Sequence, residues 1–157
     1  MSDIAKIVPK IRPLPLFAEF TATELDAFAD LVDVETFAGG ETVVKQDEPG
    51  DTMFIIVEGS ARVVHRGGEK TLELATLSKG DFFGEIALVD EGPRSADVIA
   101  VGPSTLLSVS EATIRALAGV YPSASFKLLV AVGRVLVARL RAGNQKYVDS
   151  LLTAASP

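Results

Sequence analysis

There is no cysteine in this chain of 157 residues. That removes disulfides and thiolate chemistry, and it fits a reducing compartment, so we expect a cytoplasmic protein. Histidine is almost as scarce, with His65 the only one. A metal-binding jelly roll needs two or three imidazoles with a carboxylate in one cluster, so no metal site is expected. A Ser–His–acid constellation fares no better without a second base, and we expect no enzyme and no catalytic residues. His65 ends the stretch Arg62-Val63-Val64-His65-Arg66 before the Gly67-Gly68 turn and reads as an exposed hairpin residue. Positive charge is short too: 15 Lys and Arg against 21 Asp and Glu leave a formal charge of −6. Such a chain has no basic field to draw in a phosphate backbone, which makes nucleic acid a poor first partner. Long apolar runs are also missing, the longest being about five residues against the ~20 of a membrane helix, so no membrane insertion is expected. Near the start, Asp3 and Pro9 interrupt anything resembling an export signal.

What the chain has is a hydrophobic content of 48%, ample for one core. A domain of this length buries roughly 70% of its unfolded-chain surface. Residues 1–13 read as an N-terminal arm in which Pro9 and Pro13 limit any helix to a short turn. The main domain runs over 14–142, with Leu14, Leu16 and Phe17 docking on the core, and 143–157 form a tail. Thr21 and Glu24 have capping-box spacing ahead of Leu25, Phe28, Ala29 and Val32, which predicts a helix over 22–32. Between Val34 and Val109 the texture changes to short β-branched stretches punctuated by Gly39-Gly40, Pro49-Gly50, Gly59, Gly67-Gly68, Gly80 and Gly102-Pro103. Turn signals at roughly eight- to twelve-residue intervals mark an all-β sandwich or barrel. Strands are expected over 34–37, 42–45, 53–57, 61–66, 71–77, 96–101 and 105–109. After Ser110 the pattern turns helical, over 111–119 and again over about 123–142 behind Pro122. In the long segment Phe126, Leu129, Gly133, Leu136 and Leu140 step by three and four. This seam suits a homodimer built on the C-terminal helix. Gly143 and Asn144 read as a helix stop or kink.

One segment breaks the β pattern. In Phe83-Gly84-Glu85-Ile86-Ala87-Leu88, a helical turn is expected from Glu85 to Val89, and Pro93-Arg94-Ser95-Ala96 follows after a short loop. Arg94 offers a fork of donors to two oxygens of a phosphodiester, a strong charge-assisted pairing. The turn after Gly84 frees backbone N–H groups for an anion. Glu85 suits a ribose hydroxyl, because a carboxylate beside a bare anion would repel it. Gly84 allows close backbone approach, and Ser95 adds a hydroxyl or a main-chain donor.

These residues, with GETVVKQDEPGDTMFIIVEGSARV over 40–63, make the chain resemble the cyclic nucleotide-binding domain family over about residues 14–142. The resemblance implies a mainly-β fold with flanking helices: a jelly-roll-like β-roll of about eight strands, an N-terminal helix, a phosphate-binding cassette and a C-terminal lid helix. It implies that Glu85 binds the ribose 2′-hydroxyl and Arg94 the cyclic phosphate. The amides of Gly84, Ile86, Ala87, Ser95 and Ala96 would ring the phosphate. Val63, Leu72 and Leu74 on strands, and Val135, Leu136 and Arg139 on the lid, are the candidate base contacts. Ser95 stands where threonine is associated with cyclic GMP, which favours cyclic AMP. The expected function is therefore a stand-alone sensor of a cyclic purine mononucleotide, cyclic AMP favoured over cyclic GMP, acting through its lid on a separate protein partner, with no other cofactor. Family members that bind DNA need roughly sixty further residues after the lid, so no DNA-binding output is expected. Asp90-Glu91 and Asp97 would lower affinity for a monophosphate if they faced the site. They favour the alternative of a nucleotide-insensitive scaffold or a cyclic-dinucleotide binder.

Overall fold

The computed structural model describes residues 3–90 and 92–155. Helix α1 (Asp3–Ile11) and helix α2 (Ala22–Leu31) precede ten strands, with a 3₁₀ turn at Pro15–Phe17 between them. The strands are β1 (Asp33–Phe37), β2 (Thr42–Val44), β3 (Pro49–Gly50), β4 (Thr52–Glu58), β5 (Ser60–Gly67), β6 (Lys70–Ser78), β7 (Phe82–Phe83), β8 (Gly92–Pro93), β9 (Asp97–Ala100) and β10 (Ser104–Ser110). A second 3₁₀ turn spans Glu85–Leu88, and α3 (Glu111–Val120) and α4 (Pro122–Ala155) complete the chain. The strands form two four-stranded sheets, ordered β1-β10-β4-β7 and β2-β9-β5-β6, and a small β3-β8 pair. This is the mainly-β roll with flanking helices that the resemblance implied. The three strands that the pattern did not show, β3, β7 and β8, are each two residues long, too short for any alternation to register.

Strand β4 shows why the roll is stable. Its residues 53 to 57 are all buried, and the period of two sends them to different cores. Met53, Ile55 and Val57 join Leu107 and Val109 of β10 against the helices, while Phe54 and Ile56 join Leu106 and Val98 between the sheets. Fully burying such side chains is worth roughly 1.5–3 kcal/mol each. β7 repeats the device with two residues, since Phe82 belongs to the helix-side core and Phe83 to the inner one.

Two local expectations are corrected. Pro9 does not confine the arm to a short turn: α1 carries it inside a nine-residue helix. A proline there costs ~3 kcal/mol, and the burial of Ile7, Val8 and Ile11 against the core exceeds that cost. Gly143 and Asn144 do not stop α4, which runs on to Ala155 with Gly143 inside it, an interior glycine costing only about 1 kcal/mol relative to alanine. The α2 capping box forms as expected, with the Thr21 hydroxyl accepting from the Glu24 N–H at 3.2 Å and Glu24 accepting from the Thr21 N–H at 2.8 Å. Glu24 also does what the spacing could not reveal. It is buried, and it accepts from Lys127 Nζ at 2.6 Å and from the Ser123 hydroxyl at 2.6 Å, tying α2 to the start of α4. Burial pushes its carboxyl up, but the hydrogen bonds from Lys127, Ser123 and Thr21 together outweigh it and hold the pKa at about 2.

Candidate functional site

The inner face of the β2-β9-β5-β6 sheet, the second 3₁₀ turn and one residue of α4 enclose a cavity of about 350 Å³. That lies in the lower part of the ~300–1,000 Å³ range of small-molecule sites. Gly84, Glu85, Ile86, Ala87, Arg94, Ser95 and Ala96 all line it, brought together from the two ends of the cassette.

Gly84 makes the first approach possible. Its φ of 77° lies in the left-handed region, and a Cβ there would stand 2.6 Å from Arg94 Nη1 and 2.8 Å from the Thr52 carbonyl oxygen. Opposite, a Cβ on Gly50 would collide with the Arg94 guanidinium. The side chain of Arg94 is thus slotted between two glycines. Its Nη2 donates to the Thr52 carbonyl at 2.8 Å and its Nη1 to the Gly84 carbonyl at 3.4 Å. The Arg94 main chain is pinned as well, its N–H donating to the Glu48 carbonyl at 2.8 Å and its carbonyl accepting from the Asp47 N–H at 2.8 Å. Among the described residues Arg94 has no ion pair. Burial pushes its pKa down, with Asp51 pulling weakly the other way. A half-buried guanidinium held by carbonyls alone keeps most of its five donors and all of its charge available for an anion.

Glu85 sits across the cavity with its side chain largely buried, and its Oε1 lies 3.8 Å from Arg139 Nη1 on α4. Arg139 also donates from Nη2 to the Phe82 carbonyl at 3.3 Å and places its guanidinium 4.8 Å from the Phe82 ring centroid. The 3₁₀ turn and α4 are therefore joined by one cation. Of the 3₁₀ turn, the Ala87 N–H is engaged internally, donating to the Gly84 carbonyl at 3.2 Å. Among the described residues the N–H groups of Ser95 and Ala96 have no acceptor.

The candidate base contacts divide. Val63 and Arg139 line the cavity. Leu72 and Leu74 do not: both are exposed, at 61% and 54%, outside the wall. The ladder pairs Val63 with Ala75 but Val64 with Glu73, so Leu74 is an extra residue in the register. Ala75 and Leu77 supply the wall instead. Val135 and Leu136 also stand away from the cavity, packed on the helix-side core, and the helix turns its next residue toward the site only at Arg139. Asp90 lines the cavity, whereas Asp97 does not. Asp97 accepts from Arg66 Nε at 2.8 Å and from the Gln46 N–H at 2.7 Å. The hydrogen bond from Arg66 is the main cause holding its carboxyl below the usual range. Glu91 lies outside the described residues.

The sequence reading missed Gly50 and Thr52, which hold Arg94, although the Pro49-Gly50-Asp51-Thr52 turn marks the place. It also missed Val44, Ala75, Leu77, Phe82, Phe83, Pro93 and Val98 in the wall. Phe83 is fixed by stacking on Phe54 at 5.3 Å between centroids. His65 is exposed as expected, but its ring is bonded: Nδ1 lies 3.2 Å from the Ser95 carbonyl oxygen. Among the described residues no helix is long and apolar enough to cross a membrane.

A roll whose cassette turns an arginine, without an ion pair among the described residues, toward a cavity of small-molecule size offers an anion site, and comparison with known proteins makes the family specific. Residues 34–121 match the family model for the cyclic nucleotide-binding domain, and the chain belongs to that family. The cAMP-dependent protein kinase regulatory subunit of Mycosarcoma maydis is 40% identical over 94 residues, covering 59% of this chain and 18% of that protein. The cGMP-dependent protein kinase isozyme 1 of Drosophila melanogaster is 36% identical over 107 residues, 66% of this chain and 14% of that one. The chain thus spans only a small part of the length of these curated relatives. Among solved structures, the Toxoplasma gondii protein kinase A regulatory domain with cAMP aligns at TM-score 0.68 and 28% identity, over 84% of this chain and 50% of the other. A cyclic nucleotide-binding domain from Methylobacillus flagellatus shares the fold at TM-score 0.79 and 21% identity, over 94% and 83% of the two chains.

Proposed function

We propose that this chain binds one cyclic purine mononucleotide, cyclic AMP first, and reports it through helix α4. The observation that carries this reading is Arg94, a half-buried cation with no carboxylate partner among the described residues, facing a cavity that also holds Glu85. The cyclic phosphate takes the free donors of Arg94 and the amides of Ser95 and Ala96. The ribose 2′-hydroxyl donates to Glu85, and the purine rests on Val63, Ala75 and Leu77. A cavity of about 350 Å³, at the small end of ligand sites, supports a mononucleotide over the larger cyclic dinucleotide. The diversion of Asp97 to Arg66 removes one acid that would have opposed a monophosphate. Ser95, in place of threonine, favours cyclic AMP.

The link to α4 is the ion pair between Glu85 and Arg139. A ribose hydroxyl on Glu85 competes with Arg139, so ligand binding changes what anchors the second half of α4. Only such differential contacts shift a conformational equilibrium. The first half stays fixed, because Ala124, Leu128 and Val132 are buried and Lys127 is paired to Glu24. The exposed seam on the same helix, with Phe126 at 69%, Leu140 at 65% and Tyr147 at 67%, supports a homodimer in which two such helices pair.

Isothermal titration of nucleotide-stripped protein with cyclic AMP and cyclic GMP tests the reading. One-to-one binding with micromolar or tighter Kd, about −8 kcal/mol, and stronger for cyclic AMP is expected. No heat and no thermal shift with either nucleotide would overturn it in favour of a nucleotide-insensitive scaffold. Light scattering at working concentration tests the dimer, which a monomeric mass would refute.

A further inference from the structure

His65 stands near the end of β5 and reaches the cassette across the sheet. Strand β5 pairs antiparallel with β9 from Ala61–Ala100 to Val64–Asp97, and the same register continued one step sets His65 opposite Ala96. There the His65 Nδ1 lies 3.2 Å from the Ser95 carbonyl oxygen. A carbonyl oxygen only accepts, so Nδ1 carries the proton in this contact. His65 does not line the cavity, whereas Ser95 and Ala96 do. The Ser95 carbonyl points across the sheet at β5, where His65 follows Val63 by two residues on the same strand face. The peptide unit is planar and trans, which puts the N–H on the side opposite to its C=O. Holding the Ser95 oxygen toward β5 keeps the Ala96 N–H turned away from β5 and out of that ladder.

That N–H has no acceptor among the described residues, and the next residue is clamped as well. Asp97 is held by Arg66 at 2.8 Å and by the Gln46 N–H at 2.7 Å, and the Gln46 side chain in turn bridges the Arg66 main chain at 2.7 and 2.8 Å. Ala96 thus lies between two anchored peptide units. We propose that His65 is a positioning residue for the anion site: its Nδ1–H holds the Ser95–Ala96 peptide, whose residues line the cavity, in the orientation that leaves the Ala96 amide free for the bound phosphate. The proposal rests on the nucleotide reading above and adds a residue that never touches the ligand.

Two measurements test it. In ¹⁵N-labelled free protein at a pH where the ring is neutral, long-range ¹H–¹⁵N correlation reads the tautomer, and the Nδ1–H form is expected; the Nε2–H form would overturn the proposal. Titration with cyclic AMP then compares wild type with His65→Ala and His65→Asn, since the Asn side-chain amide places a donor near the Nδ1 position. His65→Ala should weaken binding about 3- to 10-fold, the loss of one hydrogen bond, and His65→Asn should return affinity to within about 2-fold of wild type. Because the residue is exposed, melting temperatures should be the same in all three proteins, so a simple loss of structure would not produce this pattern. If wild type binds and His65→Ala binds equally well, or if Asn fails to rescue, the positioning role is refuted while the nucleotide reading stands. Failure of wild type itself to bind cyclic AMP would overturn that reading and this proposal with it.

Discussion

Replacing Arg94 by alanine separates a ligand-binding cation from a structural one. In the free protein Arg94 donates to two carbonyls, at 2.8 and 3.4 Å, and burial already opposes its charge. Deleting it loses those bonds but also removes a partly desolvated charge without an ion pair among the described residues, and water filling the space the side chain leaves replaces it at the two carbonyls. Folding free energy should change by no more than about 1 kcal/mol. Binding behaves differently. An anion whose charge centre sits ~4 Å from the guanidinium gains about 4 kcal/mol at an effective dielectric of ~20. Truncating one partner of such a pair costs ~2–5 kcal/mol, roughly a 30- to 4000-fold loss of affinity. Arg94→Lys keeps the charge without the fork and should fall between the two, near a ~10-fold loss. Calorimetric titration of each variant with cyclic AMP, beside thermal melts without ligand, gives both quantities. Unchanged affinity in Arg94→Ala, or a loss of binding that tracks a large drop in melting temperature, would refute the reasoning.

Gly84→Ala should lower both stability and cyclic AMP affinity, the latter more than ~10-fold, because the new Cβ meets Arg94 Nη1 at 2.6 Å on a residue whose φ is 77°; denaturant melts and titration check this. If Glu85 accepts the 2′-hydroxyl, 2′-deoxy cyclic AMP should bind about 10- to 150-fold more weakly than cyclic AMP to wild type, and equally weakly relative to a Glu85→Ala baseline, which competition titration measures. Leu140→Glu should convert a dimer to a monomer by light scattering while leaving the melting temperature of the roll unchanged. Glu24 sets a pH dependence of stability. Its folded pKa of about 2 lies below the usual 4.5, so its contribution is fully present above pH ~4.5 and is lost as pH falls toward 2. The amount is roughly 2–3 kcal/mol, and Glu24→Gln should lose it at neutral pH and show a flatter pH profile in denaturant titrations.

The chain's local chemistry was enough to mark an all-β sandwich or barrel, the capped helix and the groups of an anion site, and the family resemblance made these a β-roll with its cassette. A period of two, glycine turns, a Thr–Glu cap and an arginine ten residues beyond a glycine are all properties of neighbouring residues, and local rules decide them. What depends on distant neighbours was not legible. Pro9 sits inside a helix because the core rewards burying Ile7 and Ile11, and Gly143 is carried through α4 because a long helix outweighs one weak position. Leu72 and Leu74 looked like wall residues until one extra residue in the β5–β6 ladder moved the wall to Ala75 and Leu77. Whether Asp97 faces a ligand or Arg66, and whether a lone histidine ends a hairpin or steadies a cassette, depends on which strand lies alongside. Sequence determined which groups are available to hold an anion and on what kind of scaffold. Tertiary structure alone decided which of them are free to do so, because a charge is available only when packing has left it without a partner.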